Sequence, residues 1–300
     1  MVFYLDLIGA LLGLGAALFF AVSVIFVRKA TVTGEPLAVV HASAWVAVLV
    51  FLPISLVLYY PNFGLTTESL LAFAGAGIIG TILGRFLYFS GTKRIGASRS
   101  EPITRASLLV STLIGVLILS ETATIGHLLG IILLLVGVII VGYEVESGSK
   151  EKIKNFRLSL GFLLPLGSMI FFGFADPLIK VGLSEGTPIS VGLTIQFSVS
   201  LIVLSIYYST KRRLPFHPFL AKERKHYILA GLAATMAMGF LFSALSVSRV
   251  VVAVPLKSTS PLLVLILSYF YLERLEEITR ILIIGSICVV LGAALIGLFM

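Results

Sequence analysis

Arg85, Arg105, Asp176 and Lys257 are ionisable side chains set inside stretches that are otherwise almost wholly apolar. A charge held among hydrocarbon costs roughly 3 kcal/mol or more, so such a group faces protein, a partner charge or water. Arg85, in GTILGRFLYF, lies too far from either end of its stretch to reach a surface easily and must face inward. Lys257 lies in RVVVAVPLKSTSPLLVLILSYFYLER, between Pro255 and Pro261. Each proline removes a helix N–H and frees a carbonyl, which a spanning helix tolerates only where protein or an aqueous cavity re-satisfies it. A broken, charged segment of this kind is expected at a binding site near the membrane midplane. The plainer alternative puts Pro255 in the first turn and lets Lys257 reach the surface along its aliphatic stem. Earlier in the chain, RIGASRSEPITRASLLVSTLIGVLILSE carries Pro102 and Arg105 at closely similar places.

Three buried cations against one clear anion define the chemistry to expect. A cavity lined by Arg85, Arg105 and Lys257 would hold a phosphate or carboxylate, the arginines through paired hydrogen bonds and the lysine as a point charge. Asp176 precedes Pro177 in FFGFADPLIK and sits beside that helix break. It would pair one cation or carry a proton. In the competing picture Asp176 neutralises Arg85 or Lys257 and holds the structure together. Glu101, four residues before Arg105, offers an i,i+4 pair, the structural alternative for both.

Further side chains could shape specificity: Tyr88, Trp45 and Gln196, with His41, Ser23, Thr235 and Ser258. His41 and Trp45 are four apart and share a helix face. For each alone, a hydrogen bond between helices is the plainer role. Glu121 and Glu273 read as interfacial residues that cap the following loop. No phosphate-binding glycine loop followed by Lys-Ser or Lys-Thr is present, nor metal-ligand spacing among the four histidines, nor a serine between paired glycines. No enzyme, cofactor or ATP drive is expected.

The elements that must position these residues follow from composition. The 300 residues are 58% hydrophobic and 12% charged, with mean hydropathy +1.11, which excludes a soluble globular protein. Ten apolar segments fall near 7–27, 37–59, 69–90, 99–119, 123–143, 158–180, 189–208, 226–247, 250–272 and 278–299. Each is close to the ~20 residues a spanning helix needs. The start of the chain, lacking a basic leader, reads as the first helix. The single cysteine, Cys288, cannot form a disulfide within the chain. The net charge of +8 sits in loops, so membrane orientation explains it better than nucleic acid does.

The polar stretch 144–157 divides the segments five and five. Phe19-Phe20, Arg28 and Gly34-Glu35-Pro36 recur as Phe171-Phe172, Lys180 and Gly186-Thr187-Pro188 at one offset. Gly130, Gly137 and Gly142 recur as Gly285, Gly292 and Gly297 at another. Five being odd, the two copies must lie upside down relative to each other, with a site between them. Units of 1–146 and 158–300 joined by 147–157 are expected. Glycine pairs such as Gly80 and Gly84 read as close helix packing. Lys and Arg concentrate in one set of loops, from Arg28 and Lys93 to Arg274 and Arg280. That predicts a cytoplasmic face there and both termini outside.

Ser260-Pro261-Leu262 through Leu272-Glu273-Arg274, then Gly285 and Gly292, with Leu119-Ser120-Glu121, Gly130 and Gly137 in the first half, resemble the EamA repeats of the drug/metabolite transporter superfamily. The resemblance implies an all-α integral membrane protein with ten transmembrane helices in two inverted five-helix repeats and a central cavity worked by alternating access. It also implies cytoplasmic termini, against the loop count. The expected function is secondary transport of a small polar, anionic metabolite across the cell membrane, with a coupling proton or counter-substrate. The alternatives are a proton-coupled exporter of amino acids or drugs and a protein that binds or flips a lipid head group. Two repeats in one chain suffice for a monomer, and a homo-oligomer is equally compatible.

Overall fold

The computed structural model describes residues 2–117, 125–147, 157–247, 256 and 258–299. Among the described residues the apolar segments fall almost wholly on helix. The first half comprises α1 (Val2–Thr31), α2 (Pro36–Tyr59), α3 (Thr67–Ala76), a π-helical segment (Gly77–Gly84), α4 (Arg85–Ile95), α5 (Ala97–Arg105), α6 (Ser107–Leu117) and α7 (Ile125–Ser147). The second comprises α8 (Arg157–Ser184), α9 (Ile189–Thr210), the short α10 (His217–Leu220), α11 (Arg224–Val247), α12 (Ser260–Tyr271) and α13 (Arg280–Phe299). The third span is the continuous run from α3 through the π segment to α4, and the fourth is α5 and α6, broken at Ala106. Among the described residues 7 helices are long and apolar enough to cross a membrane, and α12 is a shorter apolar helix. Large apolar side chains such as Val57, Ile139 and Phe270 point outward, the belt that lipid covers in a membrane protein.

The packing obeys an exchange of halves. α1 lies against α11 as α8 lies against α3, the π segment and α4. α2 packs on α11 as α9 packs on α3 and the π segment, and α1 packs on α12 as α8 packs on α5 and α6. The α2–α9, α5–α12 and α7–α13 pairs map onto themselves. With five apolar segments in each half, this exchange is that of copies running in opposite senses.

The recurrent glycines explain the closest of these pairs. A Cβ on Gly137 would stand 2.8 Å from the Gly285 carbonyl oxygen and 2.7 Å from the Val289 side chain. One on Gly130 would stand 2.8 Å from the Gly292 oxygen. Backbone cannot yield as a side-chain tip can, so α7 and α13 approach this closely only without side chains there. Gly137→Ala is expected to cost about 1–3 kcal/mol, measured by thermal unfolding in detergent. Gly239→Ala, which meets nothing within 4 Å, should leave the midpoint within a degree or so of wild type.

Candidate functional site

The π segment sets the phase of the third span. Gly77 lets α9 approach so closely that a Cβ there would lie 2.5 Å from the Gln196 carbonyl oxygen, and Ser200 Oγ donates to the Gly77 carbonyl at 3.0 Å. Gly80 and Gly84 admit Ala175 and Phe172 of α8. The Arg85 N–H donates to the Gly80 carbonyl five residues back. One wide turn is thus inserted just before Arg85, a distortion common at functional sites. Arg85 is only 8% exposed, and its Cζ lies 5.1 Å from the centre of the Phe197 ring of α9. No hydrogen bond or ion pair joins the Arg85 guanidinium to another described residue. Its one contact of note is with the π face, which attracts a cation but satisfies none of its N–H groups.

Arg105 is held differently. Its Nε donates to Glu101 Oε1 at 2.5 Å, the i,i+4 pair legible in the sequence. Glu101 is fully buried and also accepts from Tyr88 Oη of α4 and, at 2.8 Å, from Ser260 Oγ of α12. The Arg105 Cζ sits 4.8 Å from the Phe20 ring centre. The charges of Arg85 and Asp176 both bear on Arg105. Tyr88, Arg105 and Ser260 thus gather on the Glu101 carboxylate, while Gln196, next to the Phe197 that lies under Arg85, bonds from Nε2 to Thr81 Oγ1 at 3.1 Å. Lys257 lies outside the described residues. Trp45 stands elsewhere, its ring 5.2 Å from that of Phe216. His41 is stacked on Tyr208 at 5.0 Å, with Nε2 3.1 Å from Ser205 Oγ. Among the described residues no group of His, Cys, Asp and Glu could hold a metal ion.

A second polar knot closes the face formed by the connections after α1, α4 and α12. The buried Glu276 accepts from Arg28 Nε (3.1 Å), from the N–H groups of Ala97 (2.6 Å) and Ser98 (2.9 Å), and from Ser98 Oγ (2.5 Å). A carboxylate thus sits on the positive end of α5. Arg28 Nη1 donates to the Lys93 carbonyl at 2.9 Å, and Lys93 Nζ to that of Gly34 at 2.8 Å. Arg99 grips Glu144 with two bonds of 2.8 Å. At the outer edge of this face the Thr33 hydroxyl, 2.6 Å from Glu223 Oε1, holds the Glu223 carboxyl below its usual range. Glu273, expected to cap the loop after its segment, is exposed, whereas Glu276 in that loop is buried and caps α5; Glu121 is outside the described residues. Sequence reasoning also missed Phe20, Phe197 and Ser260 as partners of the buried charges, since nothing local marks them. A cavity of about 710 Å³ opens toward the other face, lined by Phe51, Ile54, Tyr59, Thr187, Leu193 and Ser243 among others. Its wall is largely apolar and includes neither arginine.

A ten-segment helical bundle built from two halves, with charged side chains buried between them, defines a multi-pass integral membrane protein. The defining pattern of the EamA-like transporter family matches residues 7–143 and again 159–298, so the chain belongs to that family. It is similar to the uncharacterized transporter YyaM of Bacillus subtilis, 29% identical over 135 residues, which are 44% of this chain and 43% of that protein. The match therefore spans less than half of that relative. The uncharacterized protein MJ1333.1 of Methanocaldococcus jannaschii is 25% identical over 134 residues, 44% of this chain but 93% of that protein. That relative is thus about as long as one half of this chain. A solved crystal structure shares the fold with a TM-score of 0.63 at 15% identity, covering 96% of this chain and 95% of the other.

Proposed function

We propose that this chain is a secondary transporter that carries a small polar anion across the cell membrane by alternating access. The observation behind the reading is Arg85, a buried guanidinium without a hydrogen-bonding partner among the described residues, set where the first half meets α8 and α9 of the second. A permanent charge so placed is costly unless an anion completes it, and arginine offers a carboxylate or phosphate two parallel bonds. Arg105 is already bound by Glu101 and is not free to grip the ligand. Asp176, whose charge bears on Arg105, is the candidate carrier of a coupling proton. The knot at Glu276 on one face and the cavity toward the other fit one stage of an alternating cycle. Both halves are in one chain, so a monomer completes the site.

Counterflow in proteoliposomes tests this. Wild type is expected to exchange at least one class of small organic anion. Arg85→Ala is expected to lower the rate roughly 10- to 100-fold, as the loss of charge-assisted bonds worth about 1.5–3 kcal/mol would. Exchange by Arg85→Ala at the wild-type rate would overturn the reading.

A further inference from the structure

Gln196 stands at the same junction and is only half satisfied. It is 6% exposed. Its Nε2 donates to Thr81 Oγ1 at 3.1 Å, while its Oε1 is buried without a partner. A buried acceptor left open carries its full desolvation penalty, and in a native fold such a group calls for a reason. Its position supplies one. Thr81 lies in the π segment four residues before Arg85, and Phe197, next to Gln196, carries the ring beneath the guanidinium. The open acceptor, on α9 and bonded to the π segment, and the open cation, at the start of α4 and over an α9 ring, thus lie along the same two spans, one from each half.

We infer that Gln196 completes the anion site, and that the preferred ligand is a hydroxylated organic anion: an acid group for Arg85 and a nearby hydroxyl that donates to Gln196 Oε1. The inference rests on the anion-carrying role proposed above. A donor beside the acid group could in principle be an ammonium. An ammonium there would confront the Arg85 guanidinium in a desolvated space where like charges repel strongly, Arg105 being already paired with Glu101. A hydroxyl donates without that repulsion. Buried polar groups of this kind discriminate well, because the analogue lacking the hydroxyl leaves the acceptor open.

The test uses matched probes on the purified full chain in nanodiscs: lactate against propionate, and glycerol 3-phosphate against propyl phosphate. Binding is read as ligand-induced thermal stabilisation across a concentration series. The hydroxylated member of at least one pair is expected to bind about tenfold more tightly, the value of one hydrogen bond of about 1.4 kcal/mol; the pair that responds distinguishes carboxylate from phosphate. Gln196→Leu should bind the two members of that pair equally. Gln196→Glu, of nearly the same size, should set a carboxylate beside Arg85 and lose both members while keeping the unliganded melting temperature near that of wild type. Equal binding of both members by wild type, as a free amide NH₂ in place of the carbonyl would give, overturns the inference and spares the anion site. So does a preference that survives in Gln196→Leu. Wild-type affinity for every probe in Arg85→Ala, or no binding of any probe by wild type, removes the anion site itself and this inference with it.

Discussion

Glu101→Gln is expected to destabilise the folded chain by about 3 kcal/mol, the largest loss of any single polar substitution in the bundle. The carboxylate is fully buried and gathers donors from α4, α5 and α12: Tyr88, Arg105 and Ser260. An amide of the same shape keeps one acceptor and presents N–H groups where donors already point. Arg105 then keeps its charge without its partner. Because 21% of the Arg105 side chain is accessible, water offsets part of that penalty, which places the expectation at the lower end of the range for broken buried pairs. Tyr88→Phe and Ser260→Ala should each cost less, about 1 kcal/mol, since each removes a donor and leaves the ion pair intact. The double variant Glu101→Gln/Arg105→Met separates charge from shape. With the stranded cation gone it should recover at least half of the loss, because an uncompensated buried charge is the larger part of the cost of breaking such a pair. Denaturation in mixed micelles gives all four values. A double variant as unstable as the single one would mean that the knot owes its stability to something other than Arg105.

How far these features can be read from residue order depends on their range along the chain. The spans were legible because hydrocarbon demands about 20 apolar residues at a time, and the described residues of the segments lie almost wholly on helices. The α7–α13 contact was legible because glycine at repeated spacing has few uses inside a spanning helix except close approach. The Glu101–Arg105 pair follows from helical geometry alone. The inward aim of Arg85 followed from its depth, but the π segment that aims it did not. Gly77, Gly80 and Gly84 would equally suit an ordinary helix, and the wider turn lies where α8 and α9 approach them closely, a contact no local pattern encodes. Ser260 reaches Glu101 across 159 positions, a separation no local pattern encodes. Trp45 was assigned to the site on its helix face. Its neighbour Phe216 comes from the polar connection after α9, whose fold-back against α2 has no periodic signal. Glu276 and Glu273 are chemically alike and three apart; what separates them is which one the chain turns toward the amides of Ala97 and Ser98.

That turn gives the second large expectation. Glu276→Gln should loosen the closed face enough to expose the start of α5. The carboxylate ties together Arg28 from α1 and the first N–H groups of α5, and it does so from the connection between α12 and α13. Gly96 makes room for it: its φ is 98°, and a Cβ there would stand 2.9 Å from the Glu276 carboxyl carbon. Gly96→Ala should therefore produce the same lesion from the other side, adding strain at a backbone conformation that L side chains rarely adopt. The readout is maleimide labelling of Ser100→Cys in a Cys288→Ala background. Ser100 is fully buried and its hydroxyl has no partner, so the thiol removes no bond. Charge-assisted bonds worth about 1.5–3 kcal/mol hold the face shut, so Glu276→Gln should label roughly 10- to 100-fold faster. Applied to intact cells and to inverted vesicles, the same reagent also locates the face. Faster labelling confined to inverted vesicles would match the Lys- and Arg-rich loops lying in the cytoplasm. Labelling at the wild-type rate in both Glu276→Gln and Gly96→Ala would mean that the closure lies deeper, at the level of Glu101 and Arg85, and that the ties at Glu276 only dress the surface above it.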